Sequence, residues 1–285
     1  MIGVGSRDSP KFIERESAVA RGSGQEGRFG IGLMAWLIEQ RPELLDAAIG
    51  EKPFLISISF GSIQPYVERL HRAGIRLATQ VNNRVAALAA HEAGADVIVA
   101  QGTEAGGHTG FVGTLPLLQI VLDAVDTPVL AAGGIGSAAG LAAVLAAGAA
   151  GAWVGTPFLV CPESGLTEAA RARVLEAAET DTIHTSVFDR VHQLPWPPQF
   201  PGRALRNQFA DQWHGREDEL VTKPDEVARF RAGAKRRDYD ITSIYAGQSV
   251  GLLRAQRPAS DVVREMGQGA ERLLRQGLAS LLSDT

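Results

Sequence analysis

The chain has 285 residues, 45% hydrophobic and 21% charged, with a formal net charge of −4. That length suits one large α/β barrel or two smaller domains, either with a substantial core. The acidic balance argues against nucleic acid or anionic membrane as a partner. Cys161 is the single cysteine, so an internal disulfide is excluded and a reducing, cytoplasmic setting is expected. With no histidine nearby in sequence, Cys161 reads as a buried filler rather than a nucleophile.

Met1–Val4 looks like the tail of a strand, without the basic and apolar pattern of a secretion signal. Buried parallel strands are then predicted at Phe29–Met34, Phe54–Phe60, Ile75–Val81, Asp96–Gln101, Pro128–Ala132 and Ala152–Thr156, each a β-rich apolar run bounded by glycine or polar turns. Helical patterns lie between them at Glu39–Ile49, Gln64–Ala73, Arg84–Ala93, Leu115–Val125 and Ala138–Ala147. The repeat of strand, helix and two short loops predicts a parallel sheet with helical crossovers, met equally by an open doubly wound sheet or a closed barrel. Seven strands are counted, one short of a standard barrel. No charge occurs between Asp126 and Glu163, but Gly133, Gly134, Gly136, Gly140, Gly148, Gly151, Gly155 and Pro157 cut that stretch into pieces too short for a membrane helix of about 20 residues. It reads as two buried strands flanking a buried helix.

After Glu163 the pattern changes. Leu166–Ala178 is an amphipathic helix and Leu194–Gly202 a stiff proline-rich connector. The charged run Arg216–Asp240, with Arg236 and Arg237, reads as solvated surface. A final helix with Pro258 in its first turn carries Val262, Val263, Met266, Leu273, Leu274, Leu278 and Leu281 at helical period and is expected to dock on the barrel. The resulting division is 1–165 as barrel core, 166–244 as an insertion over the active-site mouth and 245–285 as a segment packing back on the barrel.

The connection between the Asp96 and Pro128 strands is about ten residues longer than its neighbours, and the excess is Gly102–Thr114. Extra length at the C-terminal end of a parallel strand is where such folds place function. Its glycines let backbone approach a planar ligand, and His108 is its one titratable side chain besides Glu104. An imidazole there can donate a hydrogen bond or accept a proton, or simply tie down the loop. The runs Ala132-Gly-Gly-Ile-Gly-Ser137 and Ala152-Trp-Val-Gly-Thr156 place glycines at strand ends, with Ser137 as a natural N-cap. Such turns hold a phosphate on backbone N–H groups. The dinucleotide fingerprint that Gly134, Gly136 and Gly140 suggest is set aside, because the next strand ends without the required acid. Gln80 and Gln101 each end a strand and need a buried partner or a ligand. His71, His91, His184, His192 and His214 show no metal-ligand spacing, and no metal is expected.

Gln101-Gly-Thr-Glu-Ala-Gly-Gly-His108-Thr-Gly110, with Ala132-Gly-Gly-Ile135 and Val154-Gly-Thr156, closely resembles the nitronate monooxygenases, formerly called 2-nitropropane dioxygenases. The resemblance runs from Met1 to about Phe158 and returns at Tyr245-Ala-Gly-Gln248. It implies an FMN-binding TIM-type (β/α)8 barrel that oxidises nitronates, and possible nitroalkanes, with O2. It also implies cofactor contacts from Gln80, Gln101, Gly106, Gly107, Gly133, Gly134, Trp153, Val154, Gly155 and Thr156. Gln80, Gln101 and Gly106 would sit beside the isoalloxazine, Gly134 and Trp153–Thr156 around the phosphate, and His108 would be the catalytic group above the flavin. Two departures stand out. Family members begin with a further strand and glycine loop, so the resemblance leaves two readings, a mis-set start or a truncated barrel open on one side, whose exposed edge strands would leave it unstable or call for homodimerisation. Where members often carry asparagine after a Phe-Gly-Val sequence, this chain has Phe29-Gly-Ile-Gly32. Flavin-dependent enoyl-thioester reductases and NAD(P)H:quinone reductases look similar around the histidine, so reduction by NAD(P)H is an alternative, as is a non-catalytic homologue.

Overall fold

The structure, a computed structural model, describes residues 1–22 and 28–282, with side chains described as far as residue 276. The chain separates into two compact units, Met1–Ala100 with Ile120–Leu130, and Gln101–Gln119 with Ala131–Thr285.

The first unit carries β1 (Ile2–Gly3), α1 (Pro10–Gly22), β2 (Gly30–Met34), α2 (Ala35–Gln40), α3 (Glu43–Gly50), β3 (Leu55–Ser59), α4 (Gln64–Arg72), β4 (Arg76–Val81), α5 (Arg84–Ala93) and most of β5 (Val97–Gln101). Its strands pair in parallel, Ile2 opposite Ile31, Ile31 opposite Ile56 and Ile56 opposite Leu77. Ile31, Ile56, Ile58, Leu77 and Ile98 are fully buried, which is why these strands read as continuous apolar runs rather than alternating ones. Local chemistry fixes the ends of α5. The Asn83 side chain accepts from the Ala86 N–H, and Gly94, at φ 94°, turns the chain out so that the Ala95 N–H returns to the Ala90 carbonyl at 3.0 Å.

Two departures from expectation occur here. The helix expected over Glu39–Ile49 is split into α2 and α3. Pro42 cannot donate a backbone hydrogen bond and pushes the residue before it out of helical geometry, and Arg41 stands at φ −136°, ψ 68°. Helix α1 was not anticipated, although Ser9-Pro10 is a start signal: Pro10 opens the helix and the Ser9 carbonyl accepts from Phe12 and Ile13.

The second unit continues with β6 (Gly107–His108), α6 (Thr114–Ala124), β7 (Val129–Ala132), α7 (Ala138–Ala146), β8 (Gly151–Trp153), α8 (Glu168–Glu176), β9 (Thr182–Thr185), α9 (Val187–His192), β10 (Gly202–Leu205), α10 (Gln208–Trp213), α11 (Glu217–Leu220), α12 (Pro224–Arg236) and α13 (Ala259–Leu282). Strand β5, helix α6 and strand β7 each have residues in both units. The hydrogen-bonded order is β1-β2-β3-β4-β5-β7-β8, the seven expected strands in sequence order. The uncharged stretch before Glu163 forms β7, α7 and β8, and among the described residues no helix is long and apolar enough to cross a membrane.

A second, antiparallel sheet runs β6-β10-β9. Its strands are two to four residues long, too short for a period to show, so the proline-rich connector hides the approach to β10. Helix α12 buries Val227 and Phe230 in a cluster with Phe188, Phe209 and Trp213, giving the charged run Arg216–Asp240 an apolar inner side. Helix α13 starts just after Pro258, whose carbonyl accepts from Asp261 and Val262. Val262 and Met266 are buried, but Val263 and Leu273 are exposed, so the docking stripe is narrower than expected. Leu278 and Leu281 lie outside the described side chains.

Candidate active site

Within the second unit, the loop after β5 is held by backbone packed on backbone. A Cβ at Gly106 would lie 2.7 Å from the Ala246 carbonyl carbon and the Gly247 nitrogen, and one at Gly247 would lie 2.5 Å from the Glu104 oxygen. The Gln248 N–H donates to the Glu104 carbonyl at 2.9 Å, and the Gly247 N–H donates to Thr156 Oγ1 at 2.9 Å. The Glu104 carboxylate accepts from the Thr114 N–H at 2.9 Å, a negative group at the positive start of α6. Gly133, at φ 104°, leaves no room for a side chain, since its Cβ would meet Thr114 Oγ1 at 2.7 Å. A Gly106→Val variant is therefore expected to lose roughly 1–3 kcal/mol of stability through overpacking, read as a lowered urea midpoint. An unchanged midpoint would show that the loop can yield.

His108 ends β6, opposite Gly202 of β10. Its Nε2–H donates to Asp189 Oδ1 at 2.9 Å, with the two side chains only 9% and 5% exposed. The imidazole lies flat against Trp196, ring centroids 3.3 Å apart at 5°, and 5.5 Å from the Tyr245 ring. Gly202 has no space for a Cβ, which would stand 2.8 Å from Tyr245 Cε1. Burial, then the Asp189 charge, push the Tyr245 hydroxyl far above the ordinary tyrosine range despite a hydrogen bond with Ser243; it stays a neutral phenol. Arg203 is buried, its Nε donating to the Thr103 carbonyl at 2.6 Å and its Nη1 to Thr182 Oγ1 at 3.0 Å. Burial holds its pKa below the usual arginine value, partly offset by Glu104.

With Nε2 engaged as a donor, the neutral tautomer of His108 carries its lone pair on Nδ1. A ring so oriented can take a proton on Nδ1. His184, on β9, contrasts with it. Its Nε2–H donates to the Pro201 carbonyl at 2.9 Å, while burial and then the Arg203 charge hold its pKa below the ordinary histidine value. His184 thus stays neutral where the unfolded chain would accept a proton. Its contribution to stability is complete above the unfolded value of about 6.5 and is lost as pH falls through the lower folded value. His184→Gln is expected to flatten the fall of the urea midpoint between pH 7 and pH 5. Equal slopes in both proteins would refute this.

The glycine loop, the β7 turn and Thr156 come together in one unit. Gln101 is buried at the end of β5, and Gly106 is pinned against residues 246–247. Gly107, at φ 80°, and Gly155 have open space where a side chain would stand. Gly134, at φ 70°, is exposed beside Glu104, while Trp153 and Val154 are partly buried. Gln80 belongs to the first unit, where its N–H donates to Ser59 Oγ at 3.0 Å and it is one of the residues lining a cavity of about 420 Å³. Asp189, Trp196, Arg203 and Thr114 were not anticipated. Asp189 left one trace, an acid inside the apolar run Val187–Val191. Tyr245 stood in a quoted motif without a role. Among the described residues no group of three or more His, Cys, Asp or Glu could hold a metal ion.

Parallel strands alternating with helices, glycine turns at their ends and a buried His–Asp pair define an α/β protein of barrel type. The chain belongs to the nitronate monooxygenase family, whose model matches residues 39–269. It is 34% identical over 259 residues to a nitronate monooxygenase of Paraburkholderia phytofirmans, covering 84% of this chain and 66% of that protein. The chain spans 60% to 66% of the length of the first curated relatives it matches. Among solved structures it resembles FabK from Thermotoga maritima (TM-score 0.81, 26% identity, 99% of this chain and 87% of that one). It also resembles a nitroalkane oxidase from Streptomyces ansochromogenes (TM-score 0.79, 27% identity, 97% and 89%). Both have TIM-barrel folds, the class expected from the sequence.

Proposed function

We propose that this chain is the flavin-binding and catalytic part of an oxidoreductase that oxidises alkyl nitronates with O2, using FMN. The observation that carries the reading is the buried His108–Asp189 pair placed on a glycine-rich loop in a chain of this family. The residues present suit the cofactor. Open space beside the backbone at Gly107 and Gly155 is what close approach of a ring and a phosphate requires, and exposed Gly134 stands at the end of β7, ahead of α7. We assign Gln101, Gly106 and Gly107 to the isoalloxazine and Gly133, Gly134 and Trp153–Thr156 to the phosphate, all of them in the second unit. FMN, when bound, supplies the redox chemistry.

The remaining work belongs to this chain's side chains. His108 takes the α-proton of a neutral nitroalkane on Nδ1 or, when protonated there, donates a hydrogen bond to a nitronate oxygen. Asp189 fixes the tautomer and orientation of that ring. Trp196 covers one face of the imidazole and keeps water from it, and we assign residues 166–244, which carry Trp196 and Asp189, to the cover of the site. Tyr245, held neutral, offers a hydroxyl rather than a charge. The test is direct: protein reconstituted with FMN should be yellow and consume oxygen with ethyl nitronate or propionate 3-nitronate. A colourless protein that takes up no FMN would end the proposal.

A further inference from the structure

A cavity of about 510 Å³ in the second unit lies outside everything assigned above. Arg254, Arg257 and Arg272 line it, and Glu265 is its one carboxylate. Glu265 is taken by Arg257, while Arg254 is anchored through Nη1 on the Gly251 and Leu253 carbonyls at 2.6 and 3.1 Å. Among the described ion pairs neither Arg254 nor Arg272 has a carboxylate partner. Two permanent cations thus stand at one opening of a chain whose net charge is −4.

The start of α7 also lines the cavity, through Ser137 and Ala138. Ser137 Oγ caps that helix by accepting from the Gly140 N–H at 3.2 Å, so its positive end faces the same space. Gly269 brings α13 there. A Cβ at that position would lie 2.5 Å from the Ala138 Cβ, and Arg272 follows three residues on. The inner surface is apolar, built from Val160, Val262 and Met266. The volume falls within the range of small-molecule sites and far exceeds an inorganic anion.

We infer that this cavity binds an organic phosphate with a flat apolar body, of the adenine-nucleotide type, its phosphates on Arg254 and Arg272 and its ring against Val262 and Met266. Gly133, Gly134, Gly155 and Thr156 do not line the cavity, so its ligand is distinct from the flavin. ADP, adenosine and inorganic phosphate should be titrated calorimetrically into the protein as purified and again after saturation with FMN. ADP is expected to bind in both preparations, at least ten-fold more tightly than adenosine or phosphate and more weakly as salt is raised. Arg254→Ala/Arg272→Ala should weaken ADP at least ten-fold, with FMN content and Tm unchanged. Absence of ADP binding, equal affinity in the double variant, or phosphate or adenosine matching ADP would each overturn the inference. Loss of FMN from the variant would do so too, by giving the guanidiniums to the flavin. ADP binding without any FMN uptake would uphold it while removing the proposed function.

Discussion

His108→Ala is expected to lower turnover on nitroethane about 10²- to 10⁴-fold, the span typical of losing a positioned acid–base group. FMN content should remain, because His108 is not among the residues assigned to hold the cofactor. The loss should be smaller with a preformed nitronate, from which no proton need be taken, and larger with the neutral nitroalkane. This contrast separates the two roles open to the imidazole. A base costs the nitroalkane reaction alone, whereas a hydrogen-bond donor costs both equally. Steady-state rates unchanged with either substrate would return His108 to a purely structural part, tying β6 to α9 through Asp189.

Asp189→Asn is the second large effect. The carboxylate is 5% exposed and accepts from His108 Nε2 at 2.9 Å. An amide can present N–H in place of oxygen, turning the tautomer over. Turnover on the nitroalkane is expected to fall on the order of 10- to 10³-fold, because the amide no longer holds the ring in the tautomer with its lone pair on Nδ1. A fall of the same size with the preformed nitronate would mean that Asp189 only supports packing. Since Asp189 also raises the Tyr245 pKa, the tyrosine should titrate at lower pH in Asp189→Asn, a change visible in the ultraviolet spectrum without any substrate.

The difference between what was and was not legible in the sequence has a physical pattern. Strands such as Leu55–Ser59 and Val97–Gln101 are buried on both faces, so burial appears as an uninterrupted apolar run and can be read directly. His108 was legible because its loop is longer than its neighbours and rich in glycine. Asp189 was not, because 81 residues separate it from His108, and the short antiparallel strands Gly107–His108 and Gly202–Leu205 that link the two regions have no readable period. Trp196 lay in a proline-rich segment that reads as a spacer, and Arg203 in a strand of four residues. The split at Pro42 was legible in principle, since a proline disfavours helical geometry in the residue before it.

The parallel contact between the Trp196 indole and the His108 imidazole has an optical consequence. An excited indole gives up an electron far more readily to imidazolium than to imidazole, so emission from this one tryptophan should dim as its neighbour gains a proton. Comparing the parent protein with a Trp196→Phe version isolates that signal from Trp36, Trp153 and Trp213. The ionisation of the buried ring then becomes visible as light intensity, in a dilute solution holding nothing but protein and buffer.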